Sequence, residues 1–391
     1  MKSHQTVFSQ LLYLIPTYQF QRIVNKYNGD KHIRKFNCWS QFCAIFYAQL
    51  RQMDTLRGIA TGLDVHLNKL YHLGIKPIKR STFSDANNKK DFKIYEGLFN
   101  LLLDKCKKLS QHRFSFHNPI RSIDATVIDL CYAIFPWKKY RTRKGALKMH
   151  VELANESYLP ETVVITDGKK HEINIARELK IKPDSIYVVD RAYIDYAWLH
   201  SIHKQKAKFV VRAKKDMNFS VVGQHDICDP ESNVLADEDI QTPYRYSKYP
   251  SKKSKYPDIL RKVTYQDPET GKIYQFLTNI ENYKPETIAL IYKQRWQIEL
   301  FFKWIKQNLK IKSFIGASKN AVLTQIWIAM IVYLILWYIK HQSRYQGSLL
   351  LLTRIMNEAL FEHFSIFDLL GISLPNPSVI KNIRQLSFGF G

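Results

Sequence analysis

Between residues 121 and 213 the order of local patterns restricts the possible folds severely. Three stretches with strand-like alternation come first: RSIDATVIDL at 121–130, LKMHVELA at 147–154 and ETVVIT at 161–166. A helical pattern follows at 172–179, then the apolar run SIYVVD at 185–190, a second helical pattern at 196–205 and the strand-like FVVRA at 209–213. Alternation predicts antiparallel strands with one covered face, whereas a short unbroken apolar run between helices predicts a parallel strand buried on both faces. Parallel neighbours need a crossover long enough to hold a helix. The expectation is a mixed sheet flanked by helices.

That order, three strands and then helix, strand, helix, strand, is the outline of an RNase H-like α/β domain. We place this domain at 119–341. The preceding residues, 1–118, carry apolar residues at helical intervals at 8–18, 39–51, 55–62 and 95–107. They hold 19 Lys and Arg against 7 Asp and Glu up to residue 120, which suggests a helical DNA-binding domain. Within it, 55–62 (TLRGIATG) and 81–90 (STFSDANNKK) read as a helix-turn-helix-like pair. Ser81 would cap the second helix, and Ser84, Asn87, Asn88 and Lys89 would be exposed. An ordinary helical pair with polar outer faces reads equally well. The stretch 215–280 is polar and turn-rich, with DPETG at 267–271 as a hairpin turn between 260–265 and 272–278. We read it as a β-rich insertion, because a structureless loop of that length is unusual. The apolar run 326–339 is short for a membrane span and reads as a buried helix. The tail, 342–391, is helical again, either capping the core or pairing the protein with itself.

The chain has 59 Lys and Arg against 34 Asp and Glu, a formal net charge of +25. Such a surplus points to a polyanionic partner: nucleic acid first, an anionic membrane surface second, with a merely basic soluble protein as the plain alternative. Five cysteines without CxxC spacing or paired histidines read as reduced core cysteines, and the N-terminal residues do not form an export signal. We expect a bacterial cytoplasmic, nucleoid-associated protein.

The pattern at 284–310 (KPETIALIYKQRWQIELFFKWIKQNLK) predicts one long helix with Pro285 in its first turn. Tyr292, Arg295, Glu299 and Lys306 fall within about 60° of one another around it. A solvated face is the bland alternative, weakened by the aromatic bulk alongside. Asp124 lies in the first strand and Asp190 ends the apolar one. A carboxylate there is costly to bury unless it is paired or binds a cation. Three acids together need a counter-charge, and hard oxygen donors suit Mg²⁺, which in pairs supports in-line attack on phosphate. Asp129, Asp167 and Asp195 are competitors, Asp195 as a cap for the next helix. The run KKYRTRKGALK at 138–148 has six Lys or Arg and no acid. It reads as a track for a phosphate backbone or as a solvated turn. Trp137, Tyr140, Tyr244 and Tyr246 could stack on unpaired bases, though packing is the more ordinary use.

Taken together, the spacing Y-(2)-R-(3)-E-(6)-K at Tyr292, Arg295, Glu299 and Lys306 resembles the signature of the insertion-sequence-four transposases. IDATVIDL at 123–130 and VVDRAYID at 188–195 resemble that family's two aspartate motifs, and KMH at 148–150 its second-strand segment. SQLLYLIP, RKFNCWSQF, LRGIATGL and RSTFSDAN resemble the domain that precedes the catalytic domain in one branch. The resemblance implies that Asp124, Asp190 and Glu299 form a DDE triad holding two Mg²⁺ ions, with Mn²⁺ able to substitute. It implies that Tyr292, Arg295 and Lys306 contact phosphates near the transposon end. Lys148, His150, Lys138, Lys139, Arg141 and Arg143 are further candidate DNA contacts. The implied partners are double-stranded DNA with terminal inverted repeats, target DNA and a second copy of the chain, with no membrane. One departure is that Arg191-Ala192-Tyr193 follows the second aspartate where many relatives have a glycine. A nuclease with the same site, a repressor derived from a decayed element and a basic membrane-surface protein are the competing readings.

Overall fold

The computed structural model describes residues 5–113, 118–131, 144–214, 217, 219–227, 232–242 and 255–371. In chain order the helices are α1 (Val7–Leu12), α2 (Thr17–Lys26), α3 (Cys38–Leu50), α4 (Leu56–Val65), α5 (Leu67–Leu70), α6 (Arg80–Lys89) and α7 (Lys93–Arg113). Then come β1 (Ile120–Cys131), β2 (Lys144–Ala154), β3 (Leu159–Asp167), α8 (Glu172–Ala176), β4 (Ile186–Val189), α9 (Tyr196–Lys204) and β5 (Lys208–Arg212). Four more strands follow: β6 (Ser220–Gln224), β7 (Val234–Gln241), β8 (Leu260–Gln266) and β9 (Ile273–Thr278). The described chain closes with α10 (Pro285–Lys293), α11 (Trp296–Asn308), α12 (Lys319–Gln342), α13 (Leu349–Glu358) and α14 (Ile366–Leu369). The chain forms two compact units, one of residues 1–113, 129–145 and 303–391, the other of residues 114–128 and 146–302.

The second unit is built on one nine-stranded sheet in the order β3-β2-β1-β4-β5-β9-β8-β7-β6. β1, β4 and β5 are parallel, and β2 pairs antiparallel with β3. This is the RNase H-like arrangement that the order of sequence patterns predicts. β4 is wholly buried because α9 and the turn after Asp190 cover one face while α10 covers the other. Residues 215–280 are β-rich in their described part, but they do not form a separate sheet. β9 pairs antiparallel with β5, and β8, β7 and β6 extend the same sheet outward.

The first unit is helical and draws on both ends of the chain. Its centre is α12, which is long and apolar enough to cross a membrane yet is 94% buried along its apolar stretch. It packs on α3 and α7, with Trp327 against Phe99. Here it is a core helix, as the sequence predicts. Two local expectations fail. The pattern at 8–18 is two helices, because Pro16 cannot continue α1 and instead precedes α2. Ser81 is not a cap: α6 starts one residue earlier, after Lys79. Asn87 is buried, accepting from Gln41 at 2.7 Å, and Ser84 is half-buried, so only Asn88 and Lys89 of the four predicted residues are exposed. Cys38, Cys43 and Cys106 are free and buried.

Candidate active site

Strand register builds the site. Ile123 of β1 lies opposite Val189 of β4, which lies opposite Val211 of β5. One residue on come Asp124 in β1, Asp190 just past the end of β4 and Arg212 at the end of β5. Asp124 accepts the Ala125 N–H at 2.8 Å. Asp190 follows the last residue of β4 and accepts the Arg191 N–H at 2.7 Å, capping a short 3₁₀ turn over Arg191–Tyr193. A tight turn at the end of a buried strand leaves the acid at the sheet's edge and half-exposed.

The third acid comes from α11. The predicted single helix over 284–310 is broken at Gln294 and Arg295, which form a turn between α10 and α11. The cause is tertiary. The Gln294 carbonyl, which a continuous helix uses for residue 298, accepts the Asn155 side-chain amide at 2.8 Å and the Gln297 N–H at 3.0 Å. Ile298 bonds instead to the Arg295 carbonyl at 3.2 Å. The predicted clustering survives the break for three of the four signature residues. The Arg295 Nη1 lies 3.5 Å from the Asp124 carboxylate, and Nη2 donates to Glu299. Tyr292 packs at a tilt against Phe276 of β9, with ring centroids 4.7 Å apart, and its ring lies 5.9 Å from the Arg295 guanidinium.

The electrostatics are unbalanced. Burial pushes the Asp124 carboxyl up to about 6, and repulsion from Asp190 and Glu299 adds to this against the Ala125 N–H and Arg295. Arg295 is held still more firmly protonated: burial opposes the charge, but Tyr292, Glu299 and Asp124 outweigh it. Burial also raises the Tyr292 phenol. Arg295 is the only cation in an ion pair with any of the three acids among the described residues, and Asp190 has no such partner. Three carboxylates against one guanidinium leave a negative excess. The donors are all hard oxygens, which fit a hard divalent cation. Among the described residues no three acidic, histidine or cysteine side chains stand close enough to share an ion; Arg295 spans Asp124 and Glu299 instead.

The remaining predicted residues fall elsewhere. Lys306 lies two turns further along α11, with Lys312 and Asp129 as its charged neighbours. Lys148 pairs with Glu172 at 2.8 Å. His150 is buried, its Nε2 is 2.9 Å from the Thr166 hydroxyl, and burial, with Lys148 adding, lowers its ring to about 4. Neither offers a free charge to a phosphate while these contacts hold. Lys138, Lys139, Arg141 and Arg143 lie outside the described residues, as do Trp137, Tyr140, Tyr244 and Tyr246. Among the competing acids, Asp195 caps α9 by accepting the Trp198 N–H at 2.9 Å, and Asp129 and Asp167 are exposed. Two residues escaped the sequence reading. Arg212 stands level with the acids and lies over Tyr274 at 4.7 Å. Its only signal was its place at the end of FVVR, matching VVD in the strand before. Tyr193 has a buried hydroxyl without a hydrogen-bond partner and feels the charges of Asp124, Glu172 and Asp190.

A family described as the transposase DDE domain matches residues 115–335, more than half of the chain, and a domain family of unknown function matches residues 3–76. The chain is 34% identical over 313 residues to a Sinorhizobium fredii protein that bears a transposase name, y4zB, covering 78% of this chain and 85% of that one. It is 27% identical over 347 residues to a Geobacillus stearothermophilus protein named as a transposase for insertion sequence element IS5377, covering 88% of each. Among solved structures it is similar to a piggyBac transposase in a synaptic complex with hairpin DNA, at a TM-score of 0.46 and 12% identity, over 97% of this chain and 83% of that one. The chain belongs to the DDE transposases, of the insertion-sequence-four type.

Proposed function

We propose that Asp124, Asp190 and Glu299 are the catalytic carboxylates, and that they hold two Mg²⁺ ions, with Mn²⁺ able to substitute. The observation that carries this reading is the charge excess of the three acids on β1, after β4 and on α11, of which Arg295 alone among the described residues bridges two, Asp124 and Glu299. The ions, when bound, would activate the attacking oxygen and stabilise the leaving one in an in-line displacement at phosphorus. The first displacement is hydrolysis at the transposon end. Water attacks phosphorus, the bond to the 3′ oxygen breaks, and that oxygen leaves as a 3′-hydroxyl after taking a proton. The second is strand transfer, in which the 3′-hydroxyl attacks a target phosphate and displaces a target oxygen.

The protein's task in such a reaction is positioning and charge neutralisation. Arg295 is placed to hold a phosphate oxygen once its acids are engaged by cations. Tyr292, fixed against Phe276, orients Arg295 and offers its hydroxyl to the backbone. Arg212 extends the cationic border, and Lys306 is a further phosphate contact. Lys148, once it leaves Glu172, and the run containing Lys138, Lys139, Arg141 and Arg143 form the backbone track, with the buried His150 behind Lys148. The substrate is duplex DNA carrying terminal inverted repeats, together with target DNA, with two copies of the chain acting on paired ends in a nucleoid-associated cytoplasmic setting.

The test is cleavage of a labelled duplex carrying the element's terminal repeat, with wild type and Glu299→Ala compared. Mg²⁺-dependent cutting at the repeat boundary is expected, lost in the variant while binding persists. Binding without cutting by the wild type would instead support the decayed-element repressor.

A further inference from the structure

Arg261 sits on β8, away from the acids, and is 7% exposed; its partner Asp237 on β7 is 4% exposed. The pair is a fork on a fork: Nε donates to Oδ1 at 2.8 Å and Nη2 to Oδ2 at 2.6 Å. Such a pair contributes little net stability when buried, because desolvating two charges offsets most of their attraction. What distinguishes it is the remaining nitrogen. Arg261 Nη1 donates to the carbonyls of Ile280, Glu281 and Tyr283, at 3.2, 3.0 and 2.6 Å. Those carbonyls belong to the irregular joint between β9 and α10, where no strand or helix ladder takes them up.

The same joint is fixed on its other sides. Asn279 receives the Phe209 N–H at 2.9 Å and donates to the Ala207 carbonyl at 3.0 Å. The Tyr283 hydroxyl accepts from Asn118 at 3.0 Å. Two residues on, Pro285 begins α10, which ends at the turn that aims Arg295 at Asp124 and Glu299. The direction of α10 therefore depends on the joint, and Arg261 holds more of the joint's carbonyls than any other side chain among the described residues.

We infer that the buried Arg261–Asp237 pair is a positioning element: the four added strands present it so that its third nitrogen fixes the β9–α10 joint, and with it Tyr292 and Arg295. The inference rests on the proposed role of Arg295. Asp237 orients the guanidinium, Arg261 satisfies the joint, and α10 transmits the placement to the site.

The test replaces both charges at once, Arg261→Met with Asp237→Leu, which removes the desolvation cost along with the pair. The expected outcome is a folded protein whose kcat for end cleavage falls about 100-fold, the scale of a misplacement of an ångström or so. Its Kd for the terminal-repeat duplex should stay within about twofold of wild type, since no direct contact is lost. Without DNA or metal, amides of 280–293 should exchange faster with deuterium while those of β4 and β5 keep their protection. Wild-type kcat with wild-type exchange overturns the inference, and so does a lowered Tm with unchanged kcat per folded molecule. If the double variant does not fold, Arg261→Lys decides. It keeps a charge beside Asp237 but cannot fork the carboxylate and reach the carbonyls together, so the same loss is expected and wild-type kcat overturns the inference. Failure of the wild type to cleave would sink the proposed function instead, and the exchange comparison would still decide whether Arg261 fixes the joint.

Discussion

The two ends of the β1–β4 pair use the same residue types to opposite effect. At the start of β1, Arg121 and Lys182 face Glu152 and Glu161. Arg121 Nη1 lies 3.5 Å from Glu152 and donates to Glu161, and Lys182 also donates to Glu161 and lies 3.9 Å from Glu152. Ser185 accepts from Arg121 at 2.9 Å, and Thr162 donates to Glu152 at 2.9 Å. Two acids meet two bases, and neutral groups take up the remaining valences. Three residues along β1, Asp124 and Glu299 share Arg295 as their one ion-pairing cation among the described residues, and Asp190 has none. A buried charged cluster is structural where its charges balance, and a candidate for chemistry where they do not.

That contrast can be broken most decisively by removing acids from the unbalanced end. Glu299→Gln or Asp190→Asn should reduce end cleavage about 1000-fold or more, read as kcat, with duplex affinity retained. At the balanced end, Arg121→Met should leave the buried Glu152 and the half-buried Glu161 with Lys182 alone. We expect a loss of roughly 3–5 kcal/mol in denaturant unfolding but near-normal kcat per folded molecule. Selective loss of chemistry with intact stability would contradict the distinction. Arg295→Ala should cost about 100-fold in cleavage, the usual scale for one charge-stabilising donor.

Acidity sharpens the comparison further. The folded protein binds a proton at Asp124 more tightly than the unfolded chain does, since that carboxyl sits at about 6 against an ordinary 3.8. Ionising it therefore costs stability, beginning above about pH 4 and complete above about pH 6. In metal-free buffer, Asp124→Asn should be more stable than wild type by about 3 kcal/mol above that window, with the advantage fading to nothing below it. Added Mg²⁺ should stabilise wild type and not the variant. A variant less stable at every pH would show that Arg295 already balances the site. The smallest effect is expected at Arg212. Arg212→Ala should lower cleavage about tenfold and reduce the salt dependence of duplex binding by about one counterion.

Much of this was legible in the sequence because it depends on local pattern. Strand alternation and the apolar run before Asp190 gave the order of elements, and an acid at the end of a buried strand is informative by itself. Tyr292, Arg295 and Glu299 do meet, as helical spacing predicts, although α10 and α11 are separate. The break escaped the sequence because its cause, Asn155, lies 139 residues away from Gln294. Arg212 was missed for a related reason: only the register of β5 against β4 brings it level with Asp190. Likewise, residues 260–278 read as strands, but nothing local says that Phe276 pairs with Arg212 and so joins them to the main sheet. Asn87 looked exposed because its polarity was visible and its partner Gln41 was not.

If Asp124, Asp190 and Glu299 hold divalent cations during phosphoryl transfer, as proposed, their negative excess is the charge those cations neutralise. The most direct measurement is the number of Mn²⁺ ions bound per chain, by equilibrium dialysis or paramagnetic resonance, in complex with a terminal-repeat duplex. Wild type should bind about two, while Asp190→Asn and Glu299→Gln should bind fewer, with the duplex still held. The same stoichiometry and affinity in wild type and both variants would contradict the claim.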